Sequence, residues 1–217
     1  MESASRVGVT VSNPPANCTL CPRLAAFRAE ARALHPDWHN APVPNWGDAS
    51  ARLVIVGLAP GMKGANRTGR PFTGDHAGDL LYATLKKVGL AEGDYQLRPD
   101  DSLVLRRTLI VNAVRCVPPQ NKPTPEEINT CRRFLTATIA ELRPRAFLAL
   151  GRIAHDSLLR TLGEKLSRFP FAHGAEHTLE GATLFDSYHC SRYNTNTGVL
   201  TTAMFENVVG RAAAAIT

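Results

Sequence analysis

The sequence predicts an α/β fold: three layers, α/β/α, around a four-stranded parallel central sheet. Three observations predict it. Short apolar runs recur at residues 53–56, 108–114, 146–151 and 183–189, as expected of strands buried on both faces. Stretches of helical periodicity separate them, the alternation from which parallel sheets are built. Each run is then followed by polar or glycine-bearing sequence, in the position where open α/β sheets bind ligands.

The elements follow in order. Residues 1–17 are polar and proline-bearing and read as a loose tail. "AAFRAEARALH" is an alanine-rich helix ended by Pro36. "DWHNAPVPNWGDAS" holds several turn-formers and two tryptophans and reads as an ordered loop. "RLVIVGLAPG" opens the sheet. "GDLLYATLKKVGL" is a helix with Leu81, Leu85 and Val88 on one face and Gly89 as its stop. "TLIVNAV" is the second strand. "TPEEINTCRRFLTATIAELRP" begins with Thr124 as cap, Pro125 at the first helical position and Glu127 closing a capping box. Its inner face carries Ile128, Cys131, Leu135, Ile139 or Thr138, and Leu142. "AFLALG", "RIAHDSLLRTLG", "TLFDSYH" and "TTAMFENVVGRAAAAIT" complete a strand–helix–strand–helix series, and residues 1–217 are expected to form a single domain.

With 44 % hydrophobic and 20 % charged residues, the chain can bury a core without disulfides. No apolar run approaches a membrane span, and the N-terminus lacks a signal-peptide layout. No membrane partner is expected, and the expected location is the cytoplasm, with the nucleoid. A formal charge of +6 suits a nucleic-acid partner, although many metabolic enzymes are equally basic.

Five cysteines without an export signal argue against a disulfide framework. Cys18 and Cys21 form "CTLC", a spacing that brings two thiolates to one metal centre, while Cys116 and Cys131 lie far along the chain. Four thiolates suit zinc or an iron–sulfur cluster, and Cys116 and Cys131 suit a hydrophobic core equally well. The loop from Gly57 lacks the lysine–serine/threonine end of a P-loop, and its glycines do not match a dinucleotide fingerprint.

Five segments, "NCTLCPRL", "VGLAPG…GANRTGRPFTGD", "NAVRCVPPQNKPTPEEINTC", "LALGRIAH" and "HCSRYNTNTG", together resemble one family, the iron–sulfur uracil-DNA glycosylases, in particular the type B branch (family five). The resemblance implies a four-iron, four-sulfur cluster on Cys18, Cys21, Cys116 and Cys131, anchoring the N-terminal segment. It implies a monomer acting on double-stranded DNA that holds uracil or another deaminated base such as hypoxanthine. It assigns Phe72 to stacking on the extruded base, and Asn112 to reading it. Gly57 and Ala59 would contact substrate. Asp75 would orient water or stabilise the sugar cation, and His189 would stabilise the departing base.

Each role has a structural rival. Phe72 suits a core, Asn112 a buried amide bonded to backbone, and Asp75 a helix N-cap. The loop after His189 resembles the family's insertion loop, with Ser191, Arg192, Tyr193, Asn194 and Thr195 against DNA. Its rival is a solvated loop with Thr195 or Thr197 capping the next helix. Arg67, Arg70, Lys63 and Lys122 offer further phosphate contacts. Two positions depart from the family pattern: Cys190 stands where proline is common and adds an oxidisable thiol, and Lys63 stands where many members carry histidine. No lysine occupies an obvious nucleophile position, so a monofunctional hydrolase is expected. A non-catalytic binder of damaged DNA with the same fold is the alternative. A nucleotide-handling enzyme with a zinc site is a third reading.

Overall fold

The computed structural model describes residues 12–217. Most of the expected loose tail, residues 1–11, lies outside them. Residues 12–17 are held in place: Asn13 accepts from the backbone N–H of Asn45 at 2.8 Å, and Ser12 donates to Glu141.

The strands are β1 (Trp46–Gly47), β2 (Leu53–Gly57), β3 (Ala91–Glu92), β4 (Val104–Leu105), β5 (Thr108–Asn112), β6 (Ala146–Leu150), β7 (Glu176–Leu179) and β8 (Ala182–Ser187). The helices are α1 (Pro22–Leu34), α2 (Ala65–Thr68), α3 (His76–Lys87), α4 (Pro125–Leu142), α5 (Arg152–Thr161), α6 (Arg192–Asn196) and α7 (Thr202–Ala214). The main sheet has six strands in the order β1-β5-β2-β6-β8-β7. Its centre is the expected parallel set, β5-β2-β6-β8, in which Gly57 lies opposite Asn112.

The four-strand expectation is corrected at both edges, where β1 and β7 pair antiparallel to their neighbours. β1 arises inside the segment expected to be a loop, and β3 pairs with β4 in a separate ribbon.

Every residue of β2, β5 and β6 is buried, because helices cover both faces. Alternate residues divide the core. Leu53, Ile55, Ile110, Leu148 and Phe185 pack toward α3 and α7 with Leu81, Leu85, Phe205 and Val209. Val54, Val56, Val111, Phe147 and Leu184 pack toward α4 and α5 with Leu135 and Leu158. The predicted start of α4 is present in full: Thr124 accepts from the Glu127 N–H, and the Glu127 carboxylate accepts from the Thr124 N–H. Two caps differ from expectation. Ser191 caps the short helix α6 and Thr201 caps α7, so neither Thr195 nor Thr197 serves. No helix among the described residues is long and apolar enough to cross a membrane.

Candidate active site

At the carboxyl ends of the parallel strands the chain leaves a cavity of about 660 Å³, within the range of small-ligand sites. Its walls are Leu58–Ala65 after β2, Phe72 and Gly74–Ala77 at the start of α3, Asn112 and Asn121 from β5 and the segment beyond it, and His189, Ser191 and Arg192 after β8. Phe72, Asp75, Asn112, His189 and Ala59 thus meet on one rim. The segment after β6 does not join them: Gly151 only clears the flank of His189, whose Cβ would lie 3.6 Å from a Cβ there.

Gly57 lies beneath the floor. A Cβ at this position would stand 2.4 Å from Asn112 Oδ1 and 2.8 Å from the Phe72 ring. The missing side chain is what lets Asn112 and Phe72, from two segments, both lie close over the end of β2. Phe72 is held at φ 51, a left-handed conformation unfavourable for an aromatic residue. The surrounding turn enforces it: Tyr95 Oη donates to the Phe72 carbonyl at 3.2 Å and Tyr82 Oη donates to the Pro71 carbonyl. The Phe72 ring lies 5.9 Å from that of His189 at 27°.

Asp75 occupies the N-cap position of α3, yet its carboxylate makes no cap hydrogen bond. Oδ1 is buried without a partner. Oδ2 faces the glycine loop so closely that a Cβ at Gly64 would lie 2.3 Å away. Burial raises the Asp75 pKa above the usual carboxylate range, against the opposing pull of the Gly78 and Ala77 N–H groups. His189 lies two residues past the end of β8 rather than closing it. Desolvation holds its pKa down at about 4, so it is neutral at physiological pH.

Some sequence expectations fail here. Arg70 offers no phosphate contact: it is 3 % exposed, paired through both Nη atoms with Asp101 at 2.7 and 2.8 Å, bonded to Thr73, and laid over Trp46. It stiffens the turn that strains Phe72. The Asn194 amide donates inward to the His189 carbonyl, and Thr195 bonds His76, so both brace the loop from within. Cys190 is fully buried against the Ala77 carbonyl, with its pKa pushed up to about 12, and is no exposed oxidisable thiol. Arg67 and Arg192 are exposed, as is Tyr193 at 74 %.

Asn121 was not singled out in the sequence. It lines the cavity at φ 57, directly after Gln120 at φ 55. Two adjacent left-handed residues outside glycine are costly, and asparagine tolerates that conformation best.

A second pocket, largely apolar, gathers Cys18, Cys21, Cys116 and Cys131 with Pro14, Leu24, Val114 and Phe134. No three cysteine Sγ atoms among the described residues lie within 4.8 Å of one another. A single tetrahedral zinc, with Zn–S near 2.3 Å, needs sulfurs within about 3.8 Å. A cluster that holds each thiolate on a separate iron takes sulfurs farther apart than that. The electrostatics also fit. Burial raises the pKa of Cys21, Cys131 and Cys116, the last to about 12, so the thiolates need compensating positive charge. Arg28 and Arg115 are buried beside them, and Arg28 Nε with Arg115 Nε and Nη2 lack partners. The Arg115 backbone N–H donates to Cys131 Sγ at 3.3 Å.

A third polar cluster, His155, His177 and Asp186, is complete without an ion. Both Asp186 oxygens are bonded, to His155 Nδ1 at 2.7 Å and His177 Nε2 at 3.1 Å, and His155 Nε2 meets the Phe169 carbonyl.

Residues 44–212 match the family profile described as the Uracil DNA glycosylase superfamily. The chain is 48 % identical over 200 residues to the Type-5 uracil-DNA glycosylase of Thermus thermophilus, covering 88 % of this chain and 90 % of that one. It is 41 % identical over 202 residues to the Type-5 uracil-DNA glycosylase of Pyrobaculum aerophilum, covering 91 % and 88 %. The Type-4 enzyme of the same organism is 34 % identical over 153 residues, covering 70 % of this chain.

Proposed function

The chain belongs to the uracil-DNA glycosylase superfamily, and on that premise we propose that it is a monofunctional hydrolase that removes uracil, and other deaminated bases such as hypoxanthine, from double-stranded DNA. It acts as a monomer, in the cytoplasm with the nucleoid. The observation that carries the reading is Asp75: a half-buried carboxylate with one oxygen buried and unpartnered, on the wall of a cavity large enough to admit a base.

The extruded nucleotide enters the cavity with its base against Phe72. Asn112 reads the Watson–Crick edge. Its amide oxygen accepts from N3–H and its amide nitrogen donates to O4, whereas cytosine presents the reverse pattern. Among the described residues no side-chain hydrogen bond occupies that amide, so it is available to substrate. Asn121 brings a second amide to the same space.

As the C1′–N1 bond lengthens, positive charge builds on the sugar and negative charge on the base. Asp75 stabilises the first and aligns a water. The water oxygen bonds C1′, and its proton passes to the carboxylate, whose raised pKa suits that acceptance. The bonding pair leaves with N1, and neutral His189 donates a hydrogen bond to the base as it becomes an anion. The products are a free base and an abasic site.

Arg67, Arg192 and Lys63 supply phosphate contacts, and Tyr193 abuts the vacated stack. The four cysteines hold a four-iron, four-sulfur cluster, which when bound fixes the first segment of the chain to α4 and carries no step of the reaction. The absence of any three sulfurs within 4.8 Å among the described residues supports a cluster over a single zinc, and the orphaned arginine donors suit the negative charge of a four-thiolate centre.

The test is base release from duplexes carrying uracil, hypoxanthine, xanthine or no lesion, read by alkaline strand cleavage. Excision of uracil by a brown protein with about four irons per chain is expected. Tight binding without base release would replace this reading with that of a lesion binder.

A further inference from the structure

The five residues of α6 carry Arg192 and Tyr193, the most exposed aromatic of the loop. Among the described residues, one side-chain hydrogen bond ties this helix to α3: His76 Nε2 to Thr195 Oγ1, 3.0 Å across 119 positions. Thr195 Oγ1 also lies 3.2 Å from the Ser191 carbonyl and 3.1 Å from the Arg192 carbonyl, and carbonyls only accept. The hydroxyl is thus shared between α6 and the His76 ring, and the direction of the bond to Nε2 is set by the ring's tautomer. Nδ1 of the same ring faces Asp79 Oδ2 at 3.9 Å.

His76 is the residue after Asp75, and its ring stands at the cavity rim. One side chain thus spans the helix turn that presents the carboxylate and the helix that faces the duplex. We propose that His76 is a positioning residue: it holds α6 at the attitude from which Arg192 and Tyr193 support an extruded nucleotide over Asp75. The inference rests on the glycosylase reading and deepens it. It makes a specific demand. Opening a base pair is needed in duplex and not in single-stranded DNA, so the bond matters for one substrate and not the other.

The test is single-turnover uracil excision from matched duplex and single-stranded oligonucleotides by the intact protein and by His76→Ala, His76→Gln and Thr195→Val. A 2-aminopurine beside the uracil reports extrusion independently of chemistry. Loss of one hydrogen bond corresponds to about five- to tenfold. That loss is expected for His76→Ala and Thr195→Val on duplex, with a matching drop in the rate of the 2-aminopurine signal. Single-strand rates should stay within about twofold. The glutamine variant, whose amide can both donate and accept, should recover most of the duplex rate. Equal loss on both strands, or an unchanged 2-aminopurine signal, would overturn the proposal. Should the unaltered protein act on duplex only, the 2-aminopurine signal alone decides. Failure of the unaltered protein to release uracil from either substrate would instead strike the glycosylase reading.

Discussion

Asp75 is a half-buried carboxylate at the start of α3 and Asp186 a fully buried one in β8, and the fold treats them oppositely. Asp186 has both oxygens bonded, and the ring it faces donates from each nitrogen, since the Phe169 carbonyl and a carboxylate can only accept. Below its raised pKa His155 is therefore an imidazolium held between α5 and β8. Asp75 has an oxygen with no partner and loop backbone pressed against the other. One region is satisfied and holds the fold; the other keeps an unpaired oxygen on the cavity wall. Arg70 with Asp101 repeats the first pattern, in the turn that precedes Asp75.

Breaking the satisfied side should cost the most. Asp186→Ala leaves a buried imidazolium unpaired and is expected to destabilise the protein by about 3–5 kcal/mol in chemical denaturation, with excision per folded molecule retained. The pH dependence sharpens this. Burial pushes the His155 pKa down, but the bond to Asp186 more than offsets it and the net shift is upward. The contribution is complete below the ordinary histidine pKa and fades as pH rises through the raised value, and the alanine variant should lack that decline. Unchanged stability in Asp186→Ala would remove the contrast.

Asp75→Asn comes next, and its effects should run the other way. Excision should fall by on the order of 10²–10³-fold. Because the folded pKa of Asp75 is raised, its charge opposes folding at neutral pH, so the asparagine variant should denature at higher temperature than the unaltered protein. The same shift sets the acid limb of the excision profile: activity falls as pH drops through a value above the ordinary aspartate range. The smallest effect is expected at Arg192. Its replacement by alanine should lower the salt slope of duplex binding by about 1 while leaving the catalytic step on bound substrate near its original rate.

Much of the fold and of the cavity rim was legible in the sequence, for physical reasons, whereas Asp186, His155 and His177 were not singled out there. Strands buried on both faces must be continuously apolar, so β2, β5, β6 and β8 stood out. β1 is two residues long and β7 is half exposed, and neither leaves such a run. Phe72, Asp75, Asn112 and His189 follow strand ends, where the fold places ligands, and the family motifs gave them roles. Arg70 was misread because a cation in a glycine- and proline-bearing turn looks solvated, and its partner is 31 residues away. Asn121 was missed because "VPPQNKP" reads as a connector; only its backbone angles reveal a strained residue aimed into the cavity. Cys190 looked reactive in a polar loop, and burial against α3 makes it inert.

The hydrogen at Gly57 has a consequence for how such a protein can change. Any side chain there collides with Asn112 and Phe72, so selection has no means of reshaping the bottom of the pocket without dismantling it. Breadth of diet must then evolve at the mouth, through Lys63, Asn121 and the residues around them, where replacements meet solvent. Libraries aimed at bulkier lesions should be spent on those positions.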